Sequence, residues 1–197
     1  MASMRIALWV LGLIAAAALG FYAYMGGFHT VTVTKGRIGP VEFVYAPHRG
    51  SYAKFNETWG AFMPKWQEAG LGTCLTMGVY LDLPGTPEEK LRSLIGCRID
   101  GWDEAQRQAA RAKFPTLIIP ESEAVLSSFP FRNVLSFFYA PTRVYPVINA
   151  ELAARGVKPS IGIEQYGSFD AIEEISFAVP VISDRAPYQP LYDVFAH

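Results

Sequence analysis

The hydrophobic pattern divides the chain into one long apolar run and a series of shorter elements. Residues 6–24 carry no charged side chain and are long enough to cross a bilayer core of about 30 Å as a helix. Phe21, Tyr22 and Tyr24 place aromatic rings at the end of this run, as is typical of a membrane interface. These bulky residues do not suit a signal-peptide cleavage site, so we predict an uncleaved transmembrane anchor over 1–27.

After a connector over 28–40, the pattern gives strand, long helix, strand, strand, and then repeats that order. The predicted elements are a strand at 41–46, a helix from Ser51 to Gly70, strands at 74–82 and 94–99, a strand at 123–129, a helix around 134–155, and strands at 160–166 and 174–181. This order predicts an α+β domain over 41–182, in which duplicated βαββ units form two antiparallel half-sheets, each covered by its own helix. The tail over 183–197 is expected to be an irregular surface segment.

A faint internal repeat indicates where a cleft would lie. Residues 77–80 (Met-Gly-Val-Tyr) correspond to residues 161–164 (Ile-Gly-Ile-Glu), which makes Tyr80 the counterpart of Glu164. Alternate residues of a strand share one face, so Tyr166 is expected to point the same way as Glu164. The predicted site therefore lies at a pseudo-two-fold axis, where the interface between the two halves forms a concave surface.

Glu164 is the strongest candidate for a functional residue. A carboxylate beside apolar neighbours is costly to bury without a partner. It could attract a cation, aided by the aromatic faces of Tyr80 and Tyr166, or take up a proton and act as a general base. The alternative is an exposed glutamate on an edge strand.

Two aromatic residues of the first long helix are further ligand-binding candidates. Tyr52 opens that helix near the predicted cleft, and Trp59 lies on its apolar face, where a core position is favoured and contact with the cleft is the alternative. Asp82 precedes a Pro-Gly turn, so a role in closing that turn is favoured over contact with a ligand.

Charge and composition argue against several classes of function. The net charge is −1 and no basic stripe is present, so no nucleic-acid binding is predicted. His48 has no second ligand at metal-binding spacing, and the sequence has no phosphate loop and no G-x-S-x-G motif. We therefore predict no metal and no cofactor, and binding rather than catalysis.

The two cysteines leave their oxidation state open. Cys74 and Cys97 have neither zinc nor redox-motif spacing, and the favoured interpretation is two small buried hydrophobic residues. A disulfide is the alternative if the domain faces an oxidising compartment. Arg5 lies closer to the apolar run than Lys35 and Arg37 do, which slightly favours a cytoplasmic N-terminus with the domain outside.

Four short segments resemble the GyrI-like family of small-molecule-binding domains, and the likeness spans residues 41–181. They are Arg49-Gly50-Ser51-Tyr52, Tyr80-Leu81-Asp82-Leu83-Pro84, Glu164-Gln165-Tyr166 and Ala178-Val179-Pro180-Val181. The resemblance implies a pair of βαββ units and an acidic residue, here Glu164, that recognises cationic or polar ligands in an aromatic cleft. Some members hydrolyse strained small rings, and these tend to carry tryptophan where this chain has Ile163, which weakens the hydrolase interpretation.

Other segments resemble a membrane-anchored subgroup that includes the testis-expressed reticulophagy receptor. They are Phe129-Pro130-Phe131, Leu135-Ser136, Thr142-Arg143-Val144 with Pro146, and Ile163-Glu164-Gln165-Tyr166. The long acidic tail that carries the receptor's autophagy-binding motif is missing, so that role is not expected here. The sequence thus predicts a membrane-tethered module for a cationic or amphipathic small molecule. Two alternatives remain open, a hydrolase using Glu164 as general base and a protein-docking module contacting an unknown partner through its tail.

Overall fold

The computed structural model describes residues 2–82, 85–159, 161–168, 171–182 and 184–196. The helices are α1 (Ala2–Tyr24), α2 (Phe55–Glu68), α3 (Glu104–Arg111), α4 (Ser136–Ala154) and α5 (Gln189–Asp193). The strands are β1 (Val33–Ile38), β2 (Val41–Arg49), β3 (Leu75–Tyr80), β4 (Arg92–Arg98), β5 (Thr116–Ile119), β6 (Ser122–Pro130), β7 (Gly162–Ser168) and β8 (Glu174–Pro180). This order confirms the predicted α+β fold.

Helix α1 stands apart from the hydrophobic core. Its large apolar side chains are exposed along its length, with Trp9 at 76%. The segment Met4–Tyr24 has a mean hydropathy of 2.2, so its length and composition would allow it to cross a membrane. Insertion into a membrane remains a prediction.

The eight strands form one antiparallel sheet in the order β1-β6-β8-β7-β3-β4-β2-β5. The half-sheet β7-β8-β6 mirrors the half-sheet β3-β4-β2, and β3 pairs with β7 where the halves meet. Each half gains one further strand at its outer edge, β1 or β5. Strand β1 comes from the predicted connector, so part of that segment belongs to the sheet. The duplicated βαββ architecture is confirmed.

The strand register supports the equivalence of Tyr80 and Glu164. Tyr80 pairs with Ser93 of β4, and Glu164 pairs with Phe177 of β8. Both members of the second pair lie 84 residues after their counterparts (164 − 80 and 177 − 93). The two ladders therefore superimpose with a single offset, as the internal repeat predicts.

The two long helices pack on the same face of the sheet, one on each half. Phe62 and Trp66 of α2 pack against Val44 of β2, while Val144 and Ile148 of α4 pack in a second cluster with strands β6 and β8. Because the two helices sit over different halves, a cleft is left between them above the central strands β3 and β7.

The C-terminal tail covers the opposite face of the sheet. Tyr188, Leu191 and Phe195 are buried against strand residues such as Phe43 and Met77. The expectation of an irregular surface segment is therefore wrong for this tail, which contains α5. Its apolar residues recur at helical spacing, and prolines are tolerated in the first turn of a helix.

Cys74 and Cys97 form a disulfide, with their Cα atoms 5.2 Å apart. The interpretation of two unpaired small hydrophobic residues is therefore wrong, although both side chains are buried. The cause is the β3–β4 register, which pairs Thr76 with Cys97 and so brings the residue just before β3 next to Cys97. That register could not be read from the spacing of the cysteines.

Candidate functional site

A cavity of about 950 Å³ lies between α2 and α4, above the central strands. Its walls are mainly apolar and aromatic. They include all five predicted ligand-binding residues, Tyr52, Trp59, Tyr80, Glu164 and Tyr166. The structure thus brings the predicted residues together in one hollow, while their role in binding a ligand remains a prediction.

Glu164 lies within this cavity, and only 3% of its surface is exposed. Its Oε1 accepts a hydrogen bond of 2.9 Å from the Tyr145 hydroxyl, and its Oε2 accepts one of 2.8 Å from the Tyr166 hydroxyl. The Tyr80 hydroxyl lies 2.6 Å from that of Tyr166. Because the Tyr166 hydroxyl donates its hydrogen bond to the carboxylate, the Tyr80 hydroxyl is the donor in the hydrogen bond between the two tyrosines. Strand β7 is central in the sheet, so the alternative of an exposed edge-strand glutamate is wrong.

The carboxylate has phenol donors, and no cationic partner for it lies among the residues that the structure describes. Within the described part of the chain, none of the ion pairs involves Glu164. Burial raises the pKa of Glu164 from 4.5 to about 7, while the hydrogen bonds from Tyr166 and Tyr145 oppose that rise. Near neutral pH the group is therefore divided between its ionised and protonated forms.

The tyrosines around Glu164 remain protonated at neutral pH. Burial raises the pKa of Tyr80, Tyr145 and Tyr166 well above the ordinary value, and the nearby carboxylate adds to the rise. Burial also raises the pKa of Tyr52 to about 12. The hydroxyls of Tyr80, Tyr145 and Tyr166 therefore act as hydrogen-bond donors rather than as bases.

Two glycines of the repeat make room for tyrosine rings beside the carboxylate. A Cβ added at Gly162 would lie 2.5 Å from the Tyr145 hydroxyl, and one at Gly78 would lie 3.2 Å from the Tyr80 ring. Gly78 stands opposite Glu164 in the β3–β7 ladder, and Gly162 stands opposite Tyr80. The glycines repeat because each half of the sheet must admit a large side chain there.

The predicted aromatic residues occupy different parts of the wall. Tyr52 lies in a short 3-10 turn before α2, with its ring edge-on to Tyr80 at 5.1 Å. Trp59 is half-buried and packs edge-on against Phe62 at 5.7 Å, so it contacts both the cavity and the core beneath α2. Tyr166 packs edge-on against Phe137 at 5.3 Å.

Asp82 follows β3 and pairs with Arg92 at the start of β4, while its predicted role in the Pro-Gly turn remains a prediction. Its carboxylate accepts a hydrogen bond of 2.6 Å from the backbone N–H of Arg92 and forms an ion pair of 2.7 Å with the guanidinium. Asp82 also lines the cavity, but its charge is already matched by Arg92. Leu83 and Pro84, which follow it in the resemblance, lie outside the described residues.

The sequence analysis missed Tyr145, which contacts Glu164 directly. On α4 the cavity-lining residues Pro141, Tyr145 and Asn149 recur every four positions, beside the core face formed by Val144 and Ile148. That second stripe was the available signal, since residues four apart lie on one side of a helix. The apolar periodicity of the sequence predicts only the core face that contains Val144 and Ile148.

His48 has a structural role. Its ring nitrogens lie 2.7 Å from the Thr58 hydroxyl and 3.0 Å from the Ser51 carbonyl oxygen, which ties the end of β2 to the start of α2. Among the residues that the structure describes, no group of histidine, cysteine, aspartate or glutamate side chains could hold a metal ion.

Comparison with solved structures places this fold among known ones. The chain is similar to the EcmrR C-terminal domain (TM-score 0.54, 12% identity, covering 78% of this chain and 99% of that one). It is also similar to SAV2435 bound to tetraphenylphosphonium (TM-score 0.53, 10% identity, 77% and 94%) and to EcmrR in a DNA complex (TM-score 0.51, 14% identity, 89% and 69%). No family model and no curated protein matches the chain.

These likenesses show a shared fold. They are consistent with the resemblance to GyrI-like small-molecule-binding domains, while the membrane-anchored subgroup remains a prediction. One of the similar structures is a DNA complex, so the predicted lack of nucleic-acid binding also remains a prediction.

Proposed function

We propose that this chain binds an amphipathic organic cation in the cavity between α2 and α4, and that α1 holds the domain at a membrane. One observation carries the proposal. Glu164 is a buried carboxylate with phenol donors and no cationic partner among the described residues, at the wall of an open aromatic cavity.

Electrostatics favours a positively charged ligand. The pKa of about 7 shows that the phenol donors offset only part of the cost of burying the charge. A cation placed beside Glu164 would stabilise its ionised form, and the faces of nearby Tyr80 and Tyr52 would add cation–π attraction. Apolar parts of the same ligand would displace water from the hydrophobic walls.

The structural comparison supports this class of ligand. The SAV2435 structure, which shares the fold, holds tetraphenylphosphonium, an organic cation with four aromatic rings. That ligand is therefore a suitable first probe for this chain.

The proposal can be tested by calorimetry with tetraphenylphosphonium and with neutral triphenylphosphine oxide. Replacing Glu164→Gln removes the charge and keeps the shape, so we expect affinity for the cation to fall by about 10- to 100-fold. Affinity for the neutral compound should change little. The matched control is Glu173→Gln, an exposed glutamate outside the cavity lining. Equal cation affinity in Glu164→Gln and the unmodified chain would contradict the proposal.

The same binding should depend on pH. Ionised Glu164 binds a cation better than the protonated form does, so affinity should be highest above pH 7 and fall by up to about tenfold per unit as the pH decreases below 7. The fall ends at the lower pKa that Glu164 has in the complex. Calorimetry in buffers of different ionisation enthalpy should detect proton release at pH 6 and little at pH 9, and the Glu164→Gln chain should show neither effect.

A hydrolase is the second candidate, because a pKa of about 7 suits a general base at neutral pH. Turnover of an electrophilic small molecule, lost in Glu164→Gln, would support it. The protein-docking alternative is weaker, because the tail that it invokes is packed into the core through Tyr188 and Leu191.

A further inference from the structure

The junction between α1 and the domain is packed rather than flexible. The Tyr24 hydroxyl donates a 3.1 Å hydrogen bond to the Arg132 carbonyl, and Met25 is buried. The Arg143 guanidinium donates a 2.9 Å hydrogen bond to the Gly27 carbonyl. These contacts hold the end of α1 against the segment that leads into α4.

Gly26 contributes a close backbone approach at this junction. Its φ of +84° favours glycine, and an added Cβ would lie 3.0 Å from the Phe129 ring. His29 packs edge-on against the same ring at 5.2 Å. The direction of α1 relative to the domain is therefore set by side-chain and backbone packing.

Exposed apolar side chains cluster beside this junction. Beyond Tyr24, six large apolar residues are exposed in the described part of the chain. Four of them, here called the rim patch, are Phe28 (69%), Val134 (63%), Leu135 (48%) and Phe138 (55%). Phe28 follows α1 and packs against Tyr22 at 5.2 Å. Val134 and Leu135 closely follow Arg132, which contacts Tyr24, and Phe138 lies one helical turn after Leu135. The rim patch thus continues the apolar surface of α1 onto the domain.

The rim patch is also part of the cavity mouth. Val134 and Phe138 line the cavity that contains Glu164. A membrane that surrounds α1 up to its terminal aromatic residues would reach the rim patch, because large apolar side chains at a helix terminus partition into the headgroup layer.

We infer that the rim patch inserts into the headgroup layer and that the cavity takes its ligand from the membrane. This inference rests on the proposed function and narrows it to amphipathic cations that partition into lipid. The ligand would pass Val134 and Phe138 with its apolar part in lipid, and its charge would reach Glu164 inside the cavity. A route through bulk water would instead expose the apolar part of the ligand.

The first experiment measures how deeply the rim patch lies in the lipid layer, using the full chain reconstituted in phosphatidylcholine nanodiscs. Leu135→Cys carries an environment-sensitive fluorophore, and Ile118→Cys is the control, since Ile118 is 62% exposed but lies on the edge strand β5. The native cysteines are paired and do not react. Brominated lipids should quench the label at 135 strongly and the label at 118 weakly. Equal quenching at the two positions would overturn the inference.

The second experiment measures how fast the ligand enters the cavity from the membrane. Leu135→Gln places an uncharged polar side chain in the rim patch and leaves the residues that line the cavity unchanged, so the electrostatic attraction of a cation to the cavity mouth stays the same. We expect the association rate of tetraphenylphosphonium in nanodiscs to fall about tenfold, since one apolar anchor is lost. The rate for phenyltrimethylammonium, which stays mainly in water, should be unchanged.

The two failures can be told apart. A normal tetraphenylphosphonium rate in Leu135→Gln would overturn membrane loading and leave binding in the cavity intact. Absence of any binding by the unmodified chain would overturn the proposed function. Lipid quenching at position 135 needs no ligand, so it would still test whether the rim patch lies in the headgroup layer.

Discussion

At the scale of single residues, the site depends on the carboxylate of Glu164, for which the described residues provide phenol donors and no cationic partner. Strand alternation placed Tyr166 on the same face as Glu164, because side chains two apart share a face of a sheet, and the internal repeat added Tyr80 as the counterpart of Glu164. The contribution of Tyr145 could not be read in the same way. Its contact depends on how α4 is rotated over β7, which is a property of tertiary packing.

The buried carboxylate should lower the stability of the ligand-free protein at high pH. The folded-state pKa is about 7, above the ordinary 4.5, so between these values the folded chain binds more protons and stability falls as pH rises. Glu164→Gln should therefore raise the free energy of unfolding above pH 7, by at most about 3 kcal/mol, and the gain should vanish toward pH 4.5.

Denaturant unfolding of the full chain in detergent at pH 4.5, 6 and 8 measures this effect. Glu173→Gln is again the control and should shift the curve little at any of these pH values, because that side chain is exposed. A Glu164→Gln chain that is less stable at pH 8 than the unmodified chain would show that the phenols compensate the charge fully.

At the scale of elements, strand β7 and helix α4 approach each other closely at Gly162 and Tyr145. The sequence predicted both elements to within a few residues, because apolar periodicity marks their type well. It did not predict that α5 would cover the back of the sheet, since two prolines in the tail suggested an irregular segment. Short helices of this kind are fixed by the surface that they bury more than by propensity.

The contact between Gly162 and Tyr145 predicts a coupling that can be measured. Gly162→Ala forces the Tyr145 hydroxyl aside and breaks its hydrogen bond to Glu164, so we expect a loss of about 1–3 kcal/mol in stability. In a Tyr145→Phe background the hydroxyl is gone and the same alanine should cost much less. A double-mutant cycle by denaturant unfolding gives the coupling, and additive effects would contradict the clash.

At the scale of the whole molecule, the disulfide between Cys74 and Cys97 bears on the side of the membrane that the domain faces. Disulfides persist mainly in oxidising compartments, and the placement of Arg5 in the first turns of α1 agrees with a cytoplasmic N-terminus. We therefore expect the domain to lie on the oxidising side.

Labelling in native membranes tests this orientation. The chain has two cysteines in total, so polyethylene-glycol maleimide added under denaturing conditions should shift its gel mobility only after reduction. Cells lysed directly into the reagent keep the native redox state. Double labelling without a reductant would place the domain in a reducing compartment.

The pseudo-two-fold sheet is symmetric in its backbone but not in what it presents to the cavity. Tyr80 occupies in one half the position that Glu164 occupies in the other, so the negative pole of the hollow lies to one side of its axis. An elongated ligand with a single positively charged end would consequently bind with that end toward strand β7. In the reverse orientation, the charged end of the ligand would face the neutral phenol of Tyr80.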